Sequence, residues 1–347
     1  MNNFRKILYP FSLVYDEITK ARNKAYDKNI LPSYTFEVPV IGVGNLSVGG
    51  TGKTPMIEYL IRLLYKDYRT AVLSRGYKRK SKGFILADEG STFETLGDEP
   101  IQFYRKFRNI TVAVDADRVN GIKQLLNQKP APEVILLDDV LQHRKVNPGF
   151  TILLTSYDKL YTEDSVLPSG DLRENINGAK RSQIIVVTKC PDKLSENEQF
   201  EISKKLKPEP NQTIFFTSIA YNDKIRSASG EIELSDLKKY QVLLLTGIAK
   251  TKPLTDFLSQ KEIEFTHISF PDHHNFSSRD IQSVRQQFDK IQSEKKILLT
   301  TEKDYVRLSP LLTENVYFLP IETYFITNEK DFNKLILDYV RKNSRNC

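Results

Sequence analysis

One stretch constrains this chain more than any other: Gly42-Val43-Gly44-Asn45-Leu46-Ser47-Val48-Gly49-Gly50-Thr51-Gly52-Lys53-Thr54-Pro55. Before it, Val38 to Val43 is an apolar run that reads as a strand. After it, Met56 to Leu64 places apolar residues at helical spacing. A glycine-rich turn between a strand and a helix aims backbone N–H groups and a helix N-terminus into one concavity, which suits a polyphosphate. In that reading Gly49, Gly50, Thr51 and Gly52 cradle the phosphates, Lys53 reaches the terminal ones, and the Thr54 hydroxyl ligates Mg²⁺. Ser47 stands where this P-loop pattern expects its first glycine, so Gly49 and Gly50 would supply the turn.

Further apolar runs follow at Thr70–Ser74, Ile110–Val114, Val134–Leu137, Thr151–Leu154, Gln183–Val187 and Thr213–Phe216, separated by helical patterns or long loops. Strands alternating with helices predict a mainly parallel sheet covered on both faces. A second series reads as strands at Val242–Leu245, Glu264–Ile268, Lys296–Thr300 and Val316–Leu319, with helices at Gln282–Ile291 and Asp331–Val340. The expected fold is therefore α/β: two α/β/α domains, the first P-loop NTPase-like, preceded by an amphipathic helix. The expected divisions are 1–28 for the helix, 29–217 for the first domain, 218–237 for a linker or short ribbon, and 238–347 for the smaller domain.

At 347 residues the chain is long enough for two cores. A formal net charge of +7 favours anionic partners: nucleotide, nucleic acid or acidic membrane. Cys190 and Cys347 are the only cysteines, so neither a disulfide framework nor a zinc ribbon is encoded, and a reducing cytoplasm is the simplest home. No apolar run approaches the roughly 20 residues that span a bilayer, and no signal peptide is evident. Near the N-terminus, Phe4, Ile7, Leu8, Phe11, Val14 and Ile18 recur near helical spacing within a fringe of Arg5, Lys6, Lys20, Arg22, Lys24 and Lys28. That pattern suits a helix lying in an anionic bilayer interface. It equally suits a helix packing its apolar face on the protein's own core. Pro10 is expected to kink or break it.

Polar motifs cluster at strand ends, where ligands bind in such sheets. Val134–Leu137 runs into Asp138-Asp139, and a carboxylate at a strand tip beside a P-loop is the usual second Mg²⁺ anchor. Gln142 and His143 follow within a turn; His143 could orient a carboxylate, contact substrate or serve structure alone. Ser74-Arg75-Gly76-Tyr77 offers Arg75 for an anion. Gly97-Asp98-Glu99-Pro100 opens a helix, and Asp98 or Glu99 could simply cap it. In Leu167-Pro168-Ser169-Gly170-Asp171-Leu172-Arg173-Glu174, Arg173 is a candidate phosphate contact and Glu174 a metal or water ligand. Pro271-Asp272-His273-His274-Asn275-Phe276 and Thr300-Thr301-Glu302-Lys303-Asp304 mark strand ends of the second domain, and one histidine there could engage a carboxylate and take a proton from an acceptor hydroxyl.

In chain order these motifs resemble the tetraacyldisaccharide 4′-kinase family, the lipid A 4′-kinases of Gram-negative bacteria. The resemblance runs along nearly the whole chain and includes Thr246-Gly247-Ile248-Ala249. Val140, Lys78, Ser169 and Asp171 depart from the family's usual glycine, glycine, alanine and proline, which bears on loop geometry more than on the reaction. The resemblance implies a kinase using ATP and Mg²⁺ at the cytoplasmic face of the inner membrane. It implies phosphorylation of the 4′-hydroxyl of a tetraacylated glucosamine disaccharide 1-phosphate. Asp98 and His273 would be its acid–base pair. Lys53 and Thr54 would bind phosphate and metal, with Asp138, Asp139, Gln142 and Glu174 around the Mg²⁺. Asn45, Arg75, His143 and Arg173 would meet substrate. The expected partners are that lipid and, through the N-terminal helix, an anionic membrane surface, with no nucleic acid.

Other classes fit less well. A membrane-associated partitioning ATPase would need a lysine at Val48. A GTPase switch would need an asparagine before Lys189 in Thr188-Lys189-Cys190-Pro191-Asp192. A nucleic-acid module would need clustered rather than scattered lysines.

Overall fold

Strands buried along their whole length need cover on both faces, and the first sheet is built that way. The protein is described by a computed structural model covering residues 5, 7–272, 274–309, 311–312 and 315–344. Phe4, Lys6, His273 and Cys347, named above, lie outside the described residues. The chain forms two compact units, Met1–Ile219 with Thr323–Cys347, and Ala220–Glu322.

The first unit contains β1 (Val40–Asn45), β2 (Thr70–Ser74), β3 (Ile85–Leu86), β4 (Thr111–Val114), β5 (Val134–Asp138), β6 (Phe150–Ser156), β7 (Ile184–Thr188) and β8 (Thr213–Tyr221). Every residue of β1, β2, β5, β6 and β7 is buried. The second unit holds β9 (Lys224–Ser227), β10 (Gly230–Glu233), β11 (Gln241–Thr246), β12 (Phe265–Ser269), β13 (Lys296–Thr301) and β14 (Val316–Leu319); β15 (Ile321–Phe325) returns to the first sheet. The first sheet has the order β15-β8-β7-β6-β1-β5-β2-β4-β3. β1 lies parallel between β5 and β6, with Val43 beside Asp138 and Asn45 beside Leu154. The short edge strand β3 runs antiparallel to β4.

Strict alternation along the strands sends side chains to opposite faces. Ile41 and Val43 pack with Met56, Ile57, Leu60 and Ile61 of the helix Lys53–Leu64. Val40, Ala71 and Leu73 pack on the other face with Ile122 and Leu125 of the helix Arg118–Leu126. The second unit repeats the plan in a six-stranded sheet of order β10-β9-β14-β13-β11-β12. Its strands β12, β11, β13 and β14 are parallel, and β9 and β10 form an antiparallel ribbon at one edge.

The division differs from the expected one at both ends. Residues 220–237 give the second unit its ribbon and the 3₁₀ turn Leu234–Lys239. The terminal helix Glu329–Ser344, expected in the second domain, belongs to the first unit. Its Phe332, Ile336 and Val340, one face at i, i+4 and i+8, are fully buried in the first core. Phe332 meets Phe215, Phe325 and Tyr59 at ring-centroid distances of 5.3, 4.5 and 5.8 Å. The Tyr339 hydroxyl donates to the Val40 carbonyl at 3.1 Å, against the strand that leads into the P-loop. Helical periodicity reveals that an apolar face exists but not which sheet it covers.

Because Phe332 fills the centre of this aromatic cluster, Phe332→Ala should cost about 3–5 kcal/mol. Urea unfolding followed through the first unit would measure it, and a loss below about 1 kcal/mol would remove the helix from that core.

Candidate active site

The turn from β1 into the helix Lys53–Leu64 is held open by backbone conformation. Gly49 and Gly52 have φ of +105° and +85°, a region that L side chains avoid. Gly52 is the residue from which the helix starts, and no side chain caps it, which leaves the N–H groups of its first turn without a side-chain partner. Lys53 bends back along the strand end. Its Nζ donates to Asn45 Oδ1 at 3.2 Å and lies 3.5 Å from Asp139 Oδ1. Asn45, fully buried, donates in turn to the Ser47 carbonyl at 2.7 Å, which fixes the start of the turn. Thr54 is the second residue of the helix and partly exposed.

Beside this turn, β5 delivers its two aspartates into different surroundings. Asp138 is buried; its Oδ2 accepts from Ser74 Oγ at 3.3 Å and its Oδ1 has no partner. Burial pushes its carboxyl up to about 7, with the Asp139 charge adding to the rise and Lys53 opposing it. Asp139 sits at φ +51° and accepts two bonds from Arg173 Nη1, at 2.8 and 2.9 Å. Burial alone would raise it, but Lys53 and Arg173 outweigh burial and hold it below the usual carboxylate range. One aspartate is therefore a committed anion, and the other is poised to ionise when a cation arrives.

Gln142 links the pieces. Its Nε2 donates to the Asn45 carbonyl at 2.9 Å and to Glu174 Oε1 at 3.0 Å, and its Oε1 accepts from Arg173 at 3.4 Å. Glu174 is buried and also takes bonds from Arg181 Nη2 at 2.7 Å and Asn23 Nδ2 at 2.6 Å. His143 is half-buried with its Nε2 lacking a partner, and burial, aided by the Arg118 charge, pushes the imidazole down to about 4. It is neutral at pH 7.

Asp98 enters through glycine contacts. It opens the helix Asp98–Lys106, and the preceding Gly97 has φ +92°. A Cβ on Gly97 would stand 3.1 Å from the Tyr77 carbonyl and 3.3 Å from Gly76. The Gly97-Asp98 turn thus lies directly against the Gly76-Tyr77 loop that follows β2, with Arg75 exposed at its start. The charge of adjacent Glu99 adds to the rise of the Asp138 carboxyl. Lys78 keeps the left-handed conformation, φ +58°, where the family more often has glycine.

The structure brings Asn45, Lys53, Asp138, Asp139, Gln142, Arg173 and Glu174 into one network. His273 lies outside the described residues. Several residues here were not anticipated. Arg118, fully buried, donates to the Asp115 carbonyl at 2.7 Å and the Asp138 carbonyl at 3.4 Å. Thr188 Oγ1 donates to the Thr51 carbonyl at 2.9 Å. Their signal was available: both lie at or just past the end of a buried strand.

The N-terminal helix Tyr9–Asp27 carries Pro10 in its first turn, where the missing N–H is harmless, so the expected break does not occur. It docks by its polar side. Ser12 bonds Ser169 at 2.8 Å, the Tyr15 hydroxyl donates to the Arg173 carbonyl at 2.9 Å, and Asn23 reaches Glu174. Ser169 and Asp171, two of the family departures, receive Ser12 and Arg5. Its apolar side faces away from the core: Ile7, Phe11, Val14 and Ile18 are 70, 65, 61 and 63% exposed.

A glycine turn running into an uncapped helix N-terminus, and a lysine folded toward strand-tip carboxylates, make this a nucleotide-binding α/β protein of the P-loop class. The chain belongs to the tetraacyldisaccharide-1-P 4′-kinase family, LpxK, whose model matches residues 4–341. It is 55% identical over 344 residues to a tetraacyldisaccharide 4′-kinase of Flavobacterium johnsoniae, covering 99% of each chain. It is 47% identical to that of Bacteroides thetaiotaomicron, over 98% of this chain and 94% of the relative. It also matches a crystal structure of LpxK from Aquifex aeolicus in complex with ATP, with a TM-score of 0.79, 33% identity, and coverage of 97% of this chain and 99% of that one.

Glu174 joins the helix, the Gln142 turn and Arg181 at one buried point. Truncating it removes the carboxylate that a partly exposed Arg181, Gln142 and Asn23 share, so Glu174→Ala should lose about 1.5–3 kcal/mol, the range for a hydrogen bond to a charged group. Denaturant unfolding reads this directly; a neutral result would mean the pair contributes nothing to the fold.

Proposed function

We propose that the protein transfers the γ-phosphate of ATP to the 4′-hydroxyl of a tetraacylated glucosamine disaccharide 1-phosphate. The observation that carries the reading is the convergence of Lys53 with Asp138 and Asp139 at the mouth of the P-loop. The donor set suits Mg²⁺: Asp138 Oδ1 is a buried carboxylate oxygen with no partner, and hard cations take oxygen ligands. Among the described residues no group of three His, Cys, Asp or Glu forms a cage, so phosphate and water would complete the shell. Thr54, Asp138 and Asp139 would hold the ion, with Gln142 and Glu174 around them; when bound it neutralises phosphate charge.

The protein's own groups do the rest. Gly49 to Gly52 and the helix N-terminus bind the phosphates. Lys53 stabilises charge that spreads onto the transferred group. Arg173 holds Asp139 ionised and keeps its aim. Asn45, Arg75, His143 and Arg173 are proposed to meet the acceptor. Asp98 takes the proton of the attacking hydroxyl, with His273 as its partner on the strength of the family resemblance. Incubation with γ-labelled ATP, Mg²⁺ and the disaccharide monophosphate should label the lipid, and absence of label would defeat the reading.

The acceptor is a lipid, and the N-terminal helix suits meeting it at a surface. Among the described residues no helix is long and apolar enough to cross a membrane. A helix docked by its polar side, with Phe11 and Ile18 outward, fits the interface of an anionic leaflet, here read as the cytoplasmic face of the inner membrane.

Two outcomes follow. Asp98→Ala and His273→Ala should each lower kcat by about 10²–10⁴-fold, the range for general-base loss. The double variant should fall far short of the product of the two, since groups acting together are non-additive; effects that multiply would separate them. The double substitution Phe11→Glu and Ile18→Glu should abolish flotation with phosphatidylglycerol vesicles and raise KM for the lipid while leaving KM for ATP and the melting temperature unchanged. Undiminished vesicle binding would take the helix out of the interface.

A further inference from the structure

The Thr188-Lys189-Cys190-Pro191-Asp192 segment has no part in the reading above, yet it touches the P-loop. The strand order supplies the geometry. On one flank of β1 lie β5 and β2, whose ends carry Asp138 and Arg75, with the Gly97-Asp98 turn packed beside them. That flank takes the transferring end of the donor. On the other flank lie β6 and β7. A nucleotide with its terminal phosphates at Lys53 must therefore lead its nucleoside over the ends of β6 and β7.

Lys189 stands there. It follows directly on β7, is held at φ +56°, and is exposed. Its Nζ donates to the carbonyl of Gly50 in the P-loop. Anchored at both ends, the methylene stem spans the gap from the tip of β7 to the phosphate turn. Open space adjoins it. A Cβ on Gly49 would meet nothing within 4 Å, and one on Gly50 would meet Lys189 Nζ alone, at 3.9 Å. The ground behind is firm. Thr188 Oγ1 bonds the Thr51 carbonyl, Cys190 N–H donates to the Thr217 carbonyl at 3.0 Å, and Ser218 Oγ donates to the Cys190 carbonyl at 2.6 Å. Asp192, the carboxylate of this segment, has Oδ1 engaged by the Tyr324 hydroxyl at 2.6 Å and Ser218 Oγ at 3.2 Å. It is bound into the wall of the loop.

We propose that the alkyl stem of Lys189 is the platform on which the adenine base of the donor rests, with Asp192 a structural brace of that loop and not a reader of the base. An apolar stem beneath a charged head offers a flat aromatic ring cover; the bond to Gly50 tethers the stem in place, while Thr188 holds the phosphate turn through Thr51. This inference rests on ATP as the donor.

The test compares a ligand with a base against one without. With the full-length protein, Lys189→Ala should raise KM and Kd for ATP about tenfold, equivalent to ~1.4 kcal/mol. The Kd for inorganic tripolyphosphate, kcat and the KM for lipid should stay within about twofold. Lys189→Met, which keeps an apolar stem, should recover most of the ATP affinity. Equal weakening of ATP and tripolyphosphate would make Lys189 a strut of the P-loop only and overturn the proposal, as would unchanged binding of both. Equilibrium binding separates the two readings: if wild-type protein binds ATP but labels no lipid, the kinase reading fails while the base platform is still decided by the two Kd values.

Discussion

The parallel pairing of β1 with β5 is the constraint on which the rest of the site depends. Val43 beside Asp138 sets the level at which the P-loop leaves the sheet relative to the aspartates. A slip of one residue would turn every side chain of β5 to the opposite face, Asp138 included. Close packing on both faces opposes that slip, because Val134 and Leu136 are fitted into one core and Ile135 and Leu137 into the other. The energy that fixes the catalytic geometry is thus hydrophobic and lies outside the site. Small residues let the next strand end come close: a Cβ on Gly44 would stand 2.7 Å from Leu141 Cβ, so the chain past β5 runs against β1 because no side chain intervenes.

Charge is distributed across the site with the same economy. Asp138, Asp139 and Glu174 gather close to Lys53, Arg118, Arg173 and Arg181. Asp139 is bonded by Arg173 and Glu174 by Arg181, which keeps the cost of desolvation tolerable. Asp138 is the exception, with burial raising its carboxyl and one oxygen left bare. A bare buried carboxylate oxygen of this kind is one that a bound cation would satisfy.

The N-terminal helix reverses the usual arrangement of an amphipathic helix. Its serine, tyrosine and asparagine side chains make the intramolecular bonds, and its isoleucines and phenylalanine look outward. Asn23 meets Glu174, which in turn holds Gln142 beside Asn45, so three hydrogen bonds link the helix to the start of the P-loop. The helix with the outward apolar face and the glycine turn of the first unit are in this way mechanically joined.

By itself the sequence determined what is local. Apolar runs marked the main strands to within a residue or two, except β8, which runs longer. The spacing Gly49 to Thr54 announced a glycine turn running into a helix, and the apolar run into Asp138-Asp139 announced a strand tip, because each depends on neighbours in the chain. Edge pieces were illegible: β3 has two residues, and β9, β10 and β15 lack the continuous burial that makes a strand visible. Only the tertiary structure decided the matters of partnership. It gave the helix Glu329–Ser344 to the first core, docked the N-terminal helix by its polar side, tied Glu174 to Arg181, and carried Lys189 onto Gly50. The physical reason is common to all four. Periodicity and residue type record what a side chain needs, whereas the partner that meets the need lies many residues away and is found only when the sheet has closed its register.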